Sequence, residues 1–179
     1  TYADYRSLKW SKLLLNLLAN ASCAILDWTP AQVMAHPQAA QLEARGWQEA
    51  LGVMTALGVR PVNLAGYPLA LFVPLARRLP PGVLARVLRG LVSGGRGNKM
   101  PSLHIALAEG KRSQVAWLNG AVARLGAEHG VATPVNRALA DIVAALTEGR
   151  AQRRTGAATS PGWNAPPQFC DIDAQEFQM

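Results

Sequence analysis

The sequence predicts an all-α domain of about seven helices, and three observations carry that prediction. Alanine and leucine dominate while isoleucine, threonine and tyrosine are few, a balance that favours helix over sheet. Apolar residues recur at helical spacing through most of the first 150 residues, and no strand pattern lasts more than a few residues. Cap residues, prolines and glycines divide those stretches where helices start and stop. With 179 residues, half of them hydrophobic and only 16% charged, the chain is long enough for one domain with a sizeable core.

The first helix is expected from about Tyr5 to Asp27, ended by Trp28-Thr29-Pro30, where Thr29 and Pro30 cap and open a short helix toward His36. Pro37 opens a long stretch, Gln38 to about Leu57, with Leu42, Trp47, Leu51, Met54 and Leu57 on one side and Gly58 as its stop. Two short helices follow between Tyr67 and Leu91, divided at "LPPG". The loop "VSGGRGNKMPS" matches neither the P-loop nor the dinucleotide fingerprint, so it reads as a flexible crossover rather than a phosphate cradle. Beyond it, helices are expected from Ser102 to about Glu109 and from Ser113 to Glu128, the second closed by His129-Gly130. In "ATPVNRALADIVAAL", Thr133 caps, Pro134 takes the first position, and Val135, Leu139, Ile142 and Leu146 share a face. Residues 151–179, rich in Gly, Pro, Ser and Thr and without periodicity, read as a flexible tail after a 1–150 domain.

Composition narrows the function classes. A formal charge of +7 suggests an anionic partner, but the basic residues are scattered without the aromatic interleaving of a single-strand binder, which argues against nucleic acid. Two cysteines give no disulfide framework, and no histidine has a second ligand three or four residues away, so no metal site is expected. No apolar run reaches the ~18 residues of a membrane helix. "LLLNLLANASCAIL" resembles a signal peptide, but Asn16 and Asn20 break its apolar region and the helical pattern runs on; a cytoplasmic protein is expected.

The stretch "SKLLLNLLAN" poses the functional question. Lys12, Asn16 and Asn20 fall at i, i+4 and i+8, each about 40° round the helix from the last. From spacing alone they are either a water-facing side or a row of hydrogen-bonding groups aimed into a cleft.

Two long motifs bear on the choice. "WSKLLLNLLANASCAI" resembles the opening helix of the C-terminal domain of the ketopantoate reductase (2-dehydropantoate 2-reductase) family. "KMPSLHIALAEGKRSQVAWLNGAVARLGAEHGVATPVNRAL" resembles that domain's second signature, with its serine, "NG", "HG" and "TP.N". The resemblance, from about Arg6 to Glu148, implies a helical domain like those of ketopantoate reductase and 6-phosphogluconate dehydrogenase. It implies that Lys12 donates the proton as hydride arrives from NADPH, that Asn16 and Asn20 hold a small 2-oxo acid, and that Ser102 contacts its carboxylate. A homodimer is expected. Such a row suits the reaction, since hydride addition builds negative charge on oxygen that an ammonium stabilises and protonates.

Two departures stand out. Nothing in the chain resembles the family's N-terminal Rossmann domain, so the chain alone is expected to be inactive and its cofactor contacts are not assigned. Gln114 stands where the family carries a glutamate for the substrate hydroxyl. A non-catalytic helical interaction module that kept the fold is the alternative reading.

Overall fold

The computed structural model describes residues 4–93 and 99–153. Among them are nine α-helices, one 3₁₀ turn and no strand. The helices are α1 (Tyr5–Leu17), α2 (Asn20–Leu26), α3 (Pro30–Ala35), α4 (Pro37–Ala56), α5 (Leu69–Ala76), α6 (Pro81–Ser93), α7 (Ser102–Ala108), α8 (Asn119–Glu128) and α9 (Pro134–Thr147), with the 3₁₀ turn at Val115–Trp117 before α8. The centre of the "VSGGRGNKMPS" loop and most of the 151–179 segment lie outside the described residues.

The central element is α4. Its buried positions run almost all round the helix, including Leu42, Ala44, Gly46, Trp47, Ala50, Leu51, Val53 and Met54. An apolar helix of that kind belongs in a core, and α4 packs against α1, α3, α6, α8 and α9. Around it the apolar side chains form a large cluster joining α1, α4, α5 and α6 and a second joining α2, α7 and α9; a third gathers Ala19, Cys23, Trp28, Val33 and Ala39. Cys23 is fully buried there, as expected of a small hydrophobe, and burial pushes its thiol well above the ordinary range.

Three local expectations are corrected. The first helix is two helices. Leu18 is extended and Ala19 takes a left-handed conformation (φ 60°), so α1 ends at Leu17 and α2 starts at Asn20. The break lets one segment serve two cores: α1 buries Trp10, Leu14, Leu15 and Leu17 in the first cluster, α2 buries Ala21 and Ala24 in the second.

The second correction is the Ser113–Glu128 helix, which is the 3₁₀ turn and α8, parted at Leu118 (φ −106°, ψ −101°). The third is the cap of α9. Thr133 makes no side-chain capping bond; instead Glu49 of α4 accepts from the backbone N–H of Val135 (2.8 Å) and Asn136 (2.9 Å). A carboxylate there satisfies orphan donors and complements the helix dipole. Thr133 is buried against Gly126, where a Cβ would lie 2.7 Å from its methyl group.

The other start and stop signals behave as read. Thr29 and Gln32 form a reciprocal capping box on α3, and Gly58 and Gly130 follow α4 and α8 with φ of 66° and 68°.

Candidate active site

Several polar groups freed by the break between α1 and α2 are met by neighbours, and those partners build the site. At the end of α1, the carbonyl of Leu14 accepts from the Trp47 indole (2.9 Å) and that of Asn16 from the Asn20 carboxamide (3.1 Å). At the start of α2, the Ala19 N–H donates to Glu43 Oε2 (2.7 Å), and the Ser22 hydroxyl donates to Glu43 Oε1. Glu43, one turn before Trp47 on α4, is buried. Burial raises its carboxyl above the ordinary carboxylate range, and the two donated bonds act in the opposite direction.

Asn20 is the joint between α1, α2 and α7. Its carboxamide NH₂ also faces Ser102 Oγ at 3.4 Å, while its Oδ1 accepts from the Leu103 N–H (3.1 Å). Asn20 thus brackets the first turn of α7, where no side chain of Pro101 or Ser102 caps. The result is an open cleft of about 290 Å³ lined by Asn16, Asn20, Tyr67, Lys99, Met100 and Ser102, with Leu15, Leu18, Leu91 and Val92 as apolar wall. A second hollow of about 490 Å³ adjoins it, lined by Lys9, Lys12, Leu13, Trp117 and Arg124. Asn16 lines both.

The predicted residues therefore fall into three groups. Asn16, Asn20 and Ser102 share the cleft. Lys12, exposed on α1, opens onto the adjoining hollow across Asn16. Gln114 is exposed at the start of the 3₁₀ turn and lines neither hollow. The row from Lys12 to Asn20 is not a single helical stripe: the first two residues share α1, and Asn20 reaches the cleft because the chain turns at Ala19.

Sequence reasoning missed three features. Lys99, exposed beside Ser102, brings a cation to the same cleft, and only its place before "MPS" marked it. Glu43 was a carboxylate on the buried side of an apolar helix, a signal in itself, since a lone buried acid needs partners. Asn119 and Asn136, from "NG" and "TPVN", are both buried. Asn119 Nδ2 donates to Asn136 Oδ1 (3.0 Å), and Asn136 Nδ2 donates to the Gly46 carbonyl and to Glu49, both at 2.7 Å. Those motifs fasten α8 and α9 to α4.

Among the described residues no group of acids, histidines and cysteines could hold a metal ion, and no helix is long and apolar enough to cross a membrane.

By class this is an all-helical domain, strand-free among the described residues, with an open polar cleft on one face. The chain belongs to the ketopantoate reductase family: the profile of the ketopantoate reductase PanE/ApbA C-terminal domain matches residues 4–147. It is 30% identical over 142 residues to the 2-dehydropantoate 2-reductase of Pyrobaculum aerophilum, a match covering 79% of this chain and 44% of the relative. In fold it is similar to a PanE/ApbA family ketopantoate reductase from Ralstonia eutropha JMP134, with a TM-score of 0.67, 23% identity, and 84% of this chain and 44% of that one covered. It is also similar to D-mandelate dehydrogenase bound to NADH and anilino(oxo)acetate, with a TM-score of 0.63, 20% identity, and 83% and 54% covered. The chain thus spans under half the length of the first two.

Proposed function

We propose that this domain is the substrate-binding and dimer-forming part of a 2-dehydropantoate 2-reductase-like enzyme that reduces a 2-oxo acid to a 2-hydroxy acid with NADPH, in the cytoplasm. The observation that carries the reading is the meeting of Asn16, Asn20 and Ser102 in one cleft, with Lys12 one helical turn from Asn16 in the adjoining hollow. In this reading the cofactor is held mainly by a nucleotide-binding domain outside this chain. The open hollow beside Lys12 suits such an arrangement, because Lys9, Lys12, Trp117 and Arg124, which also pairs with Glu128, give it a cationic, partly aromatic lining for an anionic dinucleotide.

A bound NADPH supplies the hydride that adds to the ketone carbon. The work of this chain is at the oxygen and the carboxylate. Lys12 stabilises the negative charge that develops on oxygen and donates the proton that completes the alcohol. Asn16, able both to donate and to accept, orients the substrate from between the two hollows. Ser102, with the cation of Lys99 beside it, receives the carboxylate. Asn20 holds Ser102 and the α7 backbone in place and presents its amide edge to the cleft. On the resemblance, Gln114 takes the hydroxyl end in place of the family's acid, from a position outside both hollows. The dimer is supported by apolar side chains left exposed at helical spacing, Leu71 and Leu75 on α5 and Val83 and Val87 on α6.

The test is oxidation of NADPH dependent on 2-dehydropantoate. A protein joining this domain to its nucleotide-binding domain is expected to turn over, and the 179-residue chain alone is not, because reaction requires the nicotinamide held against the substrate. Turnover by the isolated chain, or none by the joined protein with any 2-oxo acid, contradicts the reading.

A further inference from the structure

We infer that Glu43 is a positioning residue for this cleft: from inside the core it sets the left-handed turn at Ala19 through which Asn20 is delivered to Ser102 and Leu103. The inference rests on the proposed function for its link to substrate, while its structural half stands alone.

Ala19 lacks glycine's freedom at φ 60°, and a non-glycine residue is held there only where the surroundings over-determine it. Here Ala19 is packed among Cys23, Trp28, Val33 and Ala39, and the polar contact that holds its N–H is one carboxyl group. Glu43 takes the Ala19 N–H at 2.7 Å and the Ser22 hydroxyl, fixing both sides of the first turn of α2. Asn20 lies between those two residues. Its amide then closes the gap on three sides, to Asn16, Ser102 and Leu103. Had α1 simply continued, the Ala19 N–H would bond within the helix and Glu43 would have no backbone donor. A carboxyl group is expensive to bury without a cation, so its place here calls for a reason. The reason on the structure is the turn, and the turn places the polar wall. Glu43 itself lines neither hollow.

Two measurements test this. In the joined reductase, Glu43→Ala is expected to raise KM for 2-dehydropantoate about tenfold with kcat changed less than threefold, the pattern of lost binding rather than lost chemistry. Glu43→Gln keeps an oxygen for Ala19 and is expected to hold KM within threefold. In an Asn20→Ala background the effect of Glu43→Ala is expected to fall below twofold, since both act through one joint. Effects on KM that multiply independently, or a KM unmoved by Glu43→Ala, overturn the inference. On the 179-residue chain, amide hydrogen exchange is read at Leu103, whose N–H depends on Asn20, and at Val143 in the core. Glu43→Ala is expected to speed Leu103 at least tenfold more than Val143, and equal acceleration overturns the inference. Absence of any 2-oxo acid reduction by the joined wild-type protein would instead defeat the proposed function, leaving the exchange result to decide the positioning. Should Glu43→Ala not fold, the same readings are taken with Glu43→Asp, whose side chain is one methylene too short to hold both the Ala19 N–H and the Ser22 hydroxyl as Glu43 does.

Discussion

The domain uses one device twice, and the two uses differ. From α4, Glu43 takes a backbone N–H at the start of α2, and Glu49 takes two at the start of α9. At α9 the carboxylate joins a buried amide cluster with Asn136 and Asn119, its helix continues for 14 residues, and no predicted site residue belongs to that network. At α2 the carboxyl group is more deeply buried, the helix is 7 residues long, and the residue it places, Asn20, edges an open cleft. The same physical need, orphan donors at a helix start, is met at α9 for cohesion and at α2 where it places the polar wall of the cleft. Motif position does not reveal which is which, because residues of the second signature serve both.

The comparison breaks most readily at its α9 end. Asn136→Ala removes both donors from Gly46 and Glu49 and the acceptor from Asn119, leaving buried polar atoms without partners. Each such group costs about 1–3 kcal/mol, so a loss of roughly 3 kcal/mol or more is expected in chemical denaturation. The joined enzyme's kcat/KM, measured on the folded fraction, should stay within threefold. A large kinetic loss with unchanged stability would reverse the assignment of roles.

A middle-sized effect concerns Gln114. An amide accepts only a neutral hydrogen bond from a substrate hydroxyl, and a carboxylate accepts a charge-assisted one. The difference, about 1 kcal/mol or a little more, predicts that Gln114→Glu raises kcat/KM for 2-dehydropantoate by roughly tenfold relative to 2-oxo acids lacking the hydroxyl. Paired kinetics on both substrate types check it. A flat ratio would show that this exposed residue, outside both hollows, does not receive the hydroxyl.

The smallest effect is a pH slope that sharpens the α2 end. Glu43 has a raised folded-state pKa, so the folded protein binds its proton more tightly than the unfolded chain does. Its contribution is fully present below the ordinary value near 4.5 and is lost as pH rises from there through the folded-state value. Denaturation midpoints followed upward from pH 4 should therefore show a decline in wild type that Glu43→Gln flattens. Asp27, whose pKa is lowered chiefly by its bond to His104 (2.6 Å), works in the other direction: its contribution is lost only as acid protonates it. A wild-type curve that rises where Glu43 should make it fall would contradict the buried carboxyl's role.

How much of this was legible follows from what each feature depends on. Periodicity and caps are local, so α3, α4 and α9, and the glycines after α4 and α8, could be read within a residue or two. The break at Ala19 could not. Its sequence, "NLLANAS", holds no glycine or proline to mark a break, and the carboxyl group that meets the Ala19 N–H is 24 residues away. The cap of α9 was read as Thr133 for the same reason, since Glu49 is 86 residues from the N–H it takes. The trio Asn16, Asn20 and Ser102 came from resemblance, and only the long-range packing of α7 on α2 brings Ser102 to them. Spacing suggested one straight stripe, whereas the cleft exists because that stripe is bent.

In the proposed reduction of a 2-oxo acid at this bent wall the proton comes from Lys12, an exposed residue whose removal should not disturb the fold. In the joined reductase, Lys12→Ala is expected to leave the thermal midpoint within a degree or two and to lower kcat by roughly 10²–10⁴, the range for a lost general acid. A kcat within threefold of wild type, in a variant of unchanged stability, would contradict the account.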